Sequence, residues 1–203
     1  MKKIYLAAAA AALFAGGALA QTADEAQRNA NQQDRIEQGL KSGELSTQEA
    51  GKLEHEQSRV ERDEARAARN GSVSPAEKAR IEREQDKASG DIARAKHNAT
   101  TGNPDSASSR RLQADVQRNA NQQERIEQGE KSGELTKHEA SRLERGQARV
   151  DRAESRAASD GKVTAHEQRH IQRAENRQSR NIHRKKHNAR EADADKPAES
   201  SGN

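Results

Sequence analysis

Two histidines in the C-terminal half stand in a pattern that can bind zinc. The segment His166-Glu167-Gln168-Arg169-His170 matches H-E-x-x-H, which places both imidazoles on one face of a helix. In zinc peptidases the glutamate of this pattern activates a metal-bound water. The aligned segment of the first half, Ala76-Glu77-Lys78-Ala79-Arg80, lacks both histidines, and Glu167 also suits a helix-capping role. We therefore predict that the match is a coincidence and that the chain is not an enzyme.

The same half contains two histidine pairs at i,i+4 spacing. Neutral imidazoles placed in this way chelate zinc, copper or nickel. The metal-site hypothesis names His166, His170, His183 and His187. The alternative is that these are solvated surface side chains, with His187 and its counterpart His97 placing positive charge at a helix end. Neither interpretation predicts a catalytic residue or an organic cofactor.

Four glycine-containing segments resemble the second half of an EF-hand calcium loop. Each has a glycine, an aliphatic residue two positions later, an oxygen-bearing side chain next, and a glutamate three positions after that. None supplies the six to eight oxygen ligands that Ca²⁺ requires. The least incomplete segment offers Gln128, Glu130, Ser132, Thr136 and Glu139. We predict EF-hand-like loops without a full ligand set, and calcium binding at this one loop is kept as a hypothesis.

Composition excludes several classes of chemistry. Of the 203 residues, 34% are charged and 30% hydrophobic, cysteine is absent, and every aromatic residue and methionine lies within the first 14 positions. Beyond that point, disulfides, thiolate metal sites, cysteine nucleophiles and aromatic platforms for stacking nucleobases are excluded. So few large apolar side chains predict a molecule that offers surfaces rather than a deep pocket.

Positive charge is concentrated in the second half, between residues 169 and 186. Such a segment can hold anionic lipid, polysaccharide or nucleic acid through salt-sensitive contacts, without sequence-specific recognition of bases. The alternative is an ordinary solvated helix face. An anionic surface is therefore kept as a hypothetical partner for this half of the chain.

Four capping boxes define the helices that would position these residues. Each is a Ser/Thr-x-x-Glu sequence, in which the hydroxyl and the carboxylate satisfy free amides at a helix start. A glycine suited to a left-handed turn precedes each box. The boxes are Ser46–Glu49, Ser74–Glu77, Thr136–Glu139 and Thr164–Glu167. They predict an all-α chain made of helix-loop-helix-loop-helix units.

An internal repeat organises the chain. Residues 27–99 align without gaps with residues 117–189 at a constant offset of 90. In the middle helix of the first copy, Leu53, Val60 and Ala67 lie seven residues apart, which indicates a coiled-coil-like stripe. We predict a signal peptide at 1–20, a helical repeat at 21–99, a flexible linker at 100–112, a second helical repeat at 113–189 and a disordered tail at 190–203.

The N-terminus has the features of an export signal. Lys2 and Lys3 precede an apolar stretch, residues 4–15, that is too short to span a bilayer. Ala18-Leu19-Ala20 supplies the small residues needed for cleavage before Gln21. We expect a periplasmic or secreted protein without a transmembrane segment after cleavage.

One extended motif recurs in both copies. The pattern Gln-x-Arg-Ile-x-x-Gly-x-x-Ser-Gly-Glu-Leu-Ser/Thr-x-x-Glu-Ala lies within residues 32–50 and 122–140, and a closing Lys-His-Asn lies at 96–98 and 186–188. In these motifs the chain resembles a family of exported bacterial helical-repeat proteins with degenerate EF-hand-like loops. The resemblance covers most of the chain after the signal and implies no particular activity or mechanism.

Together these observations predict an exported, non-enzymatic binding or interaction module whose partner is a protein or another component of the cell envelope. The first alternative is a periplasmic divalent-cation-binding protein that uses the histidine pairs or the calcium-like loop. The second alternative is a basic, polyanion-binding helical protein. Titration with zinc, copper or calcium separates these classes.

Overall fold

All four predicted capping boxes form in the computed structural model, which describes residues 13–188 and the side chains of residues 23–188. At each of these helix starts, a serine or threonine hydroxyl accepts from the amide three residues on, and the glutamate there accepts from the amide of the capping residue. The preceding glycines, such as Gly43 with φ 77° and Gly133 with φ 74°, adopt a left-handed conformation that side chains disfavour. Local hydrogen bonds therefore determine where these helices begin.

Six α-helices and one 3-10 turn form the regular structure of the described residues, which contain no strand. The helices are α1 (Leu13–Ser42), α2 (Thr47–Ala67), α3 (Pro75–Lys96), α4 (Ala107–Lys131), α5 (Lys137–Ala157) and α6 (Ala165–Lys186), and the turn is Ala68–Asn70. The predicted all-α fold class is confirmed. Among residues 13–188, no helix combines the length and the apolar character that crossing a membrane requires.

The most extensive helix contacts join the two halves of the chain, since α1 packs along α4 and α2 along α5. Near the start of α2, the Gln48 amide donates to the Ser159 carbonyl, just beyond the end of α5, at 3.0 Å. Near the start of α5, the Ser141 hydroxyl donates to the Ala65 carbonyl, at the end of α2, at 2.8 Å. Helices α2 and α5 are therefore antiparallel.

Small side chains allow α2 and α5 to approach closely. A Cβ atom added at Gly51 would lie only 2.7 Å from the Cβ of Ala158, so this position tolerates glycine best. The counterpart of Gly51 is Ser141, whose small side chain is also buried. As a result, the acidic side chains that lie one turn after these positions, Glu54 on α2 and Glu144 on α5, point towards the partner helix at short range.

Helices α3 and α6 cover the outside of this pairing. Helix α3 contacts α2 and α1, and α6 contacts α5 and α4. The larger apolar cluster draws on both halves of the chain: Ile36, Leu40, Leu45, Ala50, Leu53, Ile92, Leu112, Val116, Ala157, Ala158, Val163 and Ile171. The two three-helix segments share this core because neither carries enough large aliphatic side chains to build one alone.

The segment predicted as a flexible linker, 100–112, is partly helical. Helix α4 begins at Ala107 after the cap Ser106, and Leu112 is fully buried. Before the helix, the Gly102 amide donates to the Gly43 carbonyl at 2.8 Å, and a Cβ at Gly102 would lie 2.1 Å from the Leu45 carbonyl oxygen. This connection therefore packs against the loop between α1 and α2.

The predicted tail, 190–203, and the first twelve residues of the predicted signal peptide lie outside the described residues. The remaining residues of that predicted signal, 13–20, form the first part of α1.

Candidate metal centre

The predicted histidine ligands lie at the two ends of α6. His166 and His170 are exposed at its N-terminal end. Between them, Glu167 is committed to the helix cap, since its carboxylate accepts from the Thr164 amide at 2.9 Å and from the Thr164 hydroxyl at 2.7 Å. The arrangement therefore gives Glu167 the capping role that the sequence also allows.

The second histidine pair is also on the surface. The ring centroids of His183 and His187 are 4.2 Å apart, with the ring planes tilted by 39°, and both side chains are exposed. Nδ1 of His187 lies 2.8 Å from the His183 carbonyl oxygen, which engages one ring nitrogen at the C-terminus of α6. The fold brings these two imidazoles together but places His166 and His170 at the opposite end of the helix.

The calcium-like loop does not direct its predicted ligands to one point. Gln128 is exposed and Glu130 is buried, so they lie on different faces of α4. The Ser132 hydroxyl donates to Glu134 at 3.0 Å. The carboxylate of Glu139 accepts from the Thr136 hydroxyl, at 3.1 Å, and from the Asn188 side chain, at 2.9 Å.

Burial of Glu139 opposes its ionisation, yet its hydrogen bonds from Asn188 and Thr136 hold its pKa below the ordinary value. The last ligand of the predicted loop is therefore an ionised cap that also ties α5 to the end of α6.

The most closely grouped carboxylates of the described residues lie in the interior, between α2 and α5. On each helix three acidic residues follow the spacing i, i+7, i+10, which places them on one face. They are Glu54, Glu61 and Glu64 on α2, and their repeat counterparts Glu144, Asp151 and Glu154 on α5. None is more than 8% exposed, so six carboxylates face each other inside the bundle.

Antiparallel packing divides these six side chains into two groups of three. The first cluster consists of Glu54, Asp151 and Glu154, each of which is 0% exposed. One carboxylate oxygen from each lies within 4.8 Å of the other two. The second cluster consists of the counterparts Glu144, Glu61 and Glu64.

Amide side chains from α1 and α4 orient the first cluster. The Asn119 amide nitrogen donates to Glu154 at 2.8 Å and to Asp151 at 3.2 Å, and the Gln33 amide nitrogen donates to Glu54 at 3.1 Å. Such hydrogen bonds fix carboxylate rotamers in the way that outer-layer partners orient metal ligands. The cluster is therefore held in place by neutral donors rather than by lysine or arginine.

Several oxygens around the first cluster receive no hydrogen bond from any described residue. They include one oxygen on each of its three carboxylates and the amide oxygens of the two orienting side chains: Glu54 Oε1, Asp151 Oδ2, Glu154 Oε1, Gln33 Oε1 and Asn119 Oδ1. Buried acceptors without donors are costly and rare in folded proteins. The site is thus rich in oxygen acceptors and poor in donors.

The second cluster is oriented by the corresponding residues of the other repeat. Asn29 donates to Glu64 at 2.7 Å, and Gln123 donates to Glu61 at 2.5 Å and to Glu144 at 3.3 Å. The two clusters meet at Glu61 and Asp151, whose carboxyl groups lie close enough that the charge of Asp151 raises the pKa of Glu61. The interior therefore holds one continuous acidic network.

Two further buried acids flank the first cluster. Asp115 accepts from Gln168 at 2.6 Å, and Glu175 forms an ion pair with Arg118 at 3.2 Å. Arg118 is partly exposed and Glu175 is buried, so this pair lies between the first cluster and solvent. Burial, the main cause, raises the pKa of Asp115 to about 7 and that of Glu175 to about 8.

Burial raises the pKa of every carboxyl in both clusters, and for most of them repulsion from neighbouring carboxylates raises it further. The pKa of Asp151 rises to about 7, mainly through burial. Burial, with repulsion from Glu25 and Glu130, raises the pKa of Glu64 to about 8. The remaining four have a pKa well above the ordinary value: Glu54, Glu61, Glu144 and Glu154. These carboxyl groups therefore hold protons to higher pH than exposed carboxyl groups do.

These residues offer only oxygen ligands. Carboxylate and amide oxygens suit hard cations such as Ca²⁺, Mg²⁺ and Mn²⁺, whereas zinc, copper and nickel favour nitrogen or sulfur. Oxygens on opposite sides of Ca²⁺ are roughly 4.6–5.2 Å apart, given metal–oxygen distances of 2.3–2.6 Å. The separations within the first cluster fit this range or the shorter spans of the smaller ions.

Sequence reasoning missed these clusters, although a signal was present. Two of the acids, Glu54 and Glu61, follow directly after Leu53 and Val60, which were assigned to the apolar stripe. The available signal is the repeat itself. Each acid of the two clusters has an acidic counterpart 90 residues away, and the orienting pairs Asn29/Asn119 and Gln33/Gln123 are identical.

No protein-family model matches the chain, and no curated protein or solved structure is significantly similar to it. Membership in the exported helical-repeat family therefore stays a prediction.

Proposed function

We propose that this chain is an exported protein that binds a hard divalent cation inside its helix bundle, at the first cluster. The observation that carries the proposal is the convergence of Glu54, Asp151 and Glu154, all fully buried, with ligand oxygens within 4.8 Å of one another. The sequence allows a divalent-cation-binding protein, and this proposal keeps that class with different ligands.

Charge repulsion explains why three carboxylates in this position need a cation or protons. In a medium of low dielectric constant, like charges at this separation repel each other strongly, and each has also lost its hydration. A divalent cation cancels two negative charges and supplies the contacts that the unpartnered oxygens require. Protons do so less completely, because each one satisfies a single oxygen.

The neighbouring amides are consistent with a cation. Asn119 and Gln33 donate to one oxygen of each carboxylate, and another oxygen of each carboxylate has no donor. One oxygen of each carboxylate is therefore free to contact a cation, while the hydrogen bond to the other oxygen holds the carboxylate in its orientation. A purely structural polar network would instead pair most of its acceptors.

Calorimetric titration of the full chain with Ca²⁺, Mg²⁺ and Mn²⁺ at pH 8 tests the proposal. We expect binding by at least one ion, and we expect Glu154→Gln to weaken it about 10- to 100-fold because a charged ligand becomes neutral. The matched control is Glu82→Gln on α3, which removes an exposed carboxylate and should leave binding unchanged.

The proposal fails if none of the three ions binds or raises the melting temperature. It also fails if Glu154→Gln binds as tightly as the unmodified chain while zinc binding depends on His183 and His187. That second result would favour the histidine sites instead.

A further inference from the structure

We infer that the outer face of the α2–α5 pair is a docking surface for the phosphate backbones of duplex nucleic acid, which it binds without reading the base sequence. This inference goes beyond the proposed cation site and does not depend on it. Its residues lie on the solvent side of α2 and α5, whereas the carboxylate clusters lie between these helices and face the interior.

Each of the two helices carries a row of five basic residues. The spacing in both rows is i, i+3, i+7, i+10, i+14, which keeps the side chains on one face of a helix. The rows, here called the basic face, are Lys52, His55, Arg59, Arg62 and Arg66 on α2 and Arg142, Arg145, Arg149, Arg152 and Arg156 on α5. Every one of these residues is exposed or partly exposed. The rows are repeat counterparts, so each position is basic in both copies even where the residue type differs.

The two rows run along the two sides of the line where α2 meets α5. Arg145 of α5 reaches across this line, and its guanidinium donates to the Ala65 carbonyl of α2 at 3.5 Å. Near the other end of the line, an open depression has Gly51, Lys52 and Ser155 among its lining residues. Helices α3 and α6 pack at the sides of the pair, which leaves the basic face uncovered. Two rows of long cationic side chains therefore flank a shallow groove.

Most of the positive charge on the basic face is not neutralised by the protein. Among residues 23–188, Arg66 is the only member of the two rows that forms a salt bridge, with Asp63 at 3.4 Å. Burial, and next repulsion from Arg152 across the groove, lower the pKa of Arg62 below its ordinary value. The rows therefore hold like charges close together, and an anion bound between them relieves the repulsion.

Acids border the basic face on one side only, and their charges are already paired. Beside the α2 row, Glu56 pairs with Lys87 of α3 at 3.2 Å, and Asp63 pairs with an arginine of α3 at 2.5 Å. The counterparts of these two acids on α5 are Gly146 and Ala153, which carry no charge. The α5 row consists of five arginines, so we expect it to have the stronger positive potential and to make most of the contacts with an anion.

The charge density of the basic face is close to that of duplex nucleic acid. Nine of its ten residues are lysine or arginine, and each row covers fourteen residue steps, which is about 21 Å along a helix. The face therefore presents about one cation per 2.3 Å, against about one phosphate per 1.7 Å of duplex axis. Arginine also pairs with phosphate through two parallel hydrogen bonds. Polysaccharides with one carboxylate per sugar are less densely charged.

Other anionic partners fit the basic face less well. Single-stranded nucleic acid is held by aromatic side chains on which bases stack, and no Phe, Tyr or Trp follows position 14 of the chain. Helices that lie on a membrane insert apolar side chains between the lipids, whereas the two rows contain only basic residues. The basic face is therefore suited to a duplex, whose phosphates it can contact from the outside.

Fluorescence anisotropy with a labelled DNA duplex of about 20 base pairs tests the inference. The full chain is titrated without divalent cations at about pH 6.5 and at NaCl concentrations from about 50 to 200 mM. We expect log K for binding to fall with log salt concentration with a slope of about −4 to −6, equivalent to roughly five or six contacted phosphates. Two duplexes of different base sequence should bind equally.

A double variant of the α5 row, Arg142→Gln with Arg149→Gln, locates the binding. Each lost phosphate contact removes about 0.9 from the slope, so we expect a slope shallower by about 2 and an affinity at least about tenfold lower in the lowest salt. The matched control, Arg83→Gln with Arg110→Gln, removes the same charge from exposed positions of α3 and α4 and should keep the slope. Circular dichroism checks that both variants stay helical.

The unmodified chain decides first: the absence of salt-dependent binding to the duplex overturns the inference. Equal losses of affinity in the double variant and its control also overturn it, because net charge alone would then explain the binding. So does binding to phosphatidylglycerol vesicles or to alginate without binding to the duplex. None of these results bears on the proposed cation site, whose test measures bound ions and not DNA.

Discussion

The two carboxylate clusters are built from the same repeat, yet the residue that flanks each from the outer helix differs. Beside the second cluster, Gln85 of α3 donates to Glu64 at 2.8 Å. At the equivalent position of α6 stands Glu175, which pairs with Arg118 at 3.2 Å and donates no hydrogen bond to Glu154. One change of side-chain chemistry therefore leaves Glu154 Oε1 unpartnered while the corresponding oxygen of Glu64 is satisfied.

The arginines next to this position, Arg118 and its counterpart Arg28, also have different partners. Arg118 pairs with buried Glu175, whereas its counterpart Arg28 pairs with Asp86 on the surface. Duplication supplied two similar pockets of carboxylates, and the flanking residue determines how much negative charge each retains. The comparison shows that the first cluster keeps a carboxylate oxygen without a donor where the second is paired by an amide.

The largest predicted effect is a loss of stability with rising pH when cations are removed. The raised pKa values mean that the folded chain binds protons that the unfolded chain has already released. This contribution is fully present below about pH 4, the ordinary carboxyl pKa, and it is lost as the pH rises through 7–8. We expect the free energy of unfolding in EDTA to fall by at least about 3 kcal/mol between pH 5 and pH 8.5.

Urea denaturation at both pH values measures this difference. Saturating Mn²⁺ or Ca²⁺ should restore most of the stability at pH 8.5, because a cation binds the folded state only and replaces the protons. Equal stability at the two pH values in EDTA would contradict a buried, proton-binding acidic network.

A smaller effect is predicted for Glu175→Gln, which gives the first cluster the flanking residue of the second. The amide can donate to Glu154 as Gln85 does to Glu64, and one negative charge near the cation is lost. We expect the affinity of the first site to fall about tenfold, equivalent to about 1.4 kcal/mol. Calorimetric titration with Mn²⁺ measures the change.

The mirror change, Gln85→Glu, should have the smallest effect. It gives the second cluster the flanking acid of the first and removes the hydrogen bond to Glu64, while Arg28 lies where Arg118 lies in the other repeat. We expect the affinity of the first cluster for Mn²⁺ to change by less than about twofold, roughly 0.4 kcal/mol, because Gln85 flanks the other cluster. A larger change in calorimetric titration would show that the flanking residue does not act only on its own cluster.

The locally encoded features were predictable from the sequence. Each capping box involves atoms within three residues of one another, and each left-handed glycine follows from local backbone geometry, so the starts of α2, α3, α5 and α6 were identified correctly. The boundary at α4 was less accurate, since the predicted linker extended six residues into a helix that Ser106 caps without a glutamate. A single hydroxyl cap is a weaker signal than a full box.

The candidate site was not predicted, because its chemistry depends on contacts between distant residues. Glu54 and Asp151 are almost a hundred residues apart in the chain, and each has the spacing of an ordinary surface acid on an amphipathic helix. Only the close approach of α2 to α5, aided by Gly51 against Ala158, turns those acids into buried neighbours. The predicted histidines, in contrast, lie on exposed positions of α6.

The sequence by itself determined the helices, their caps and the duplication, because these depend on hydrogen bonds and periodicities that span a few residues. Only the tertiary structure decided which helix faces meet, and with that which acids leave water. Burial and charge proximity, not residue type, raise the pKa values of six ordinary carboxyl groups, and both are properties of the packed bundle.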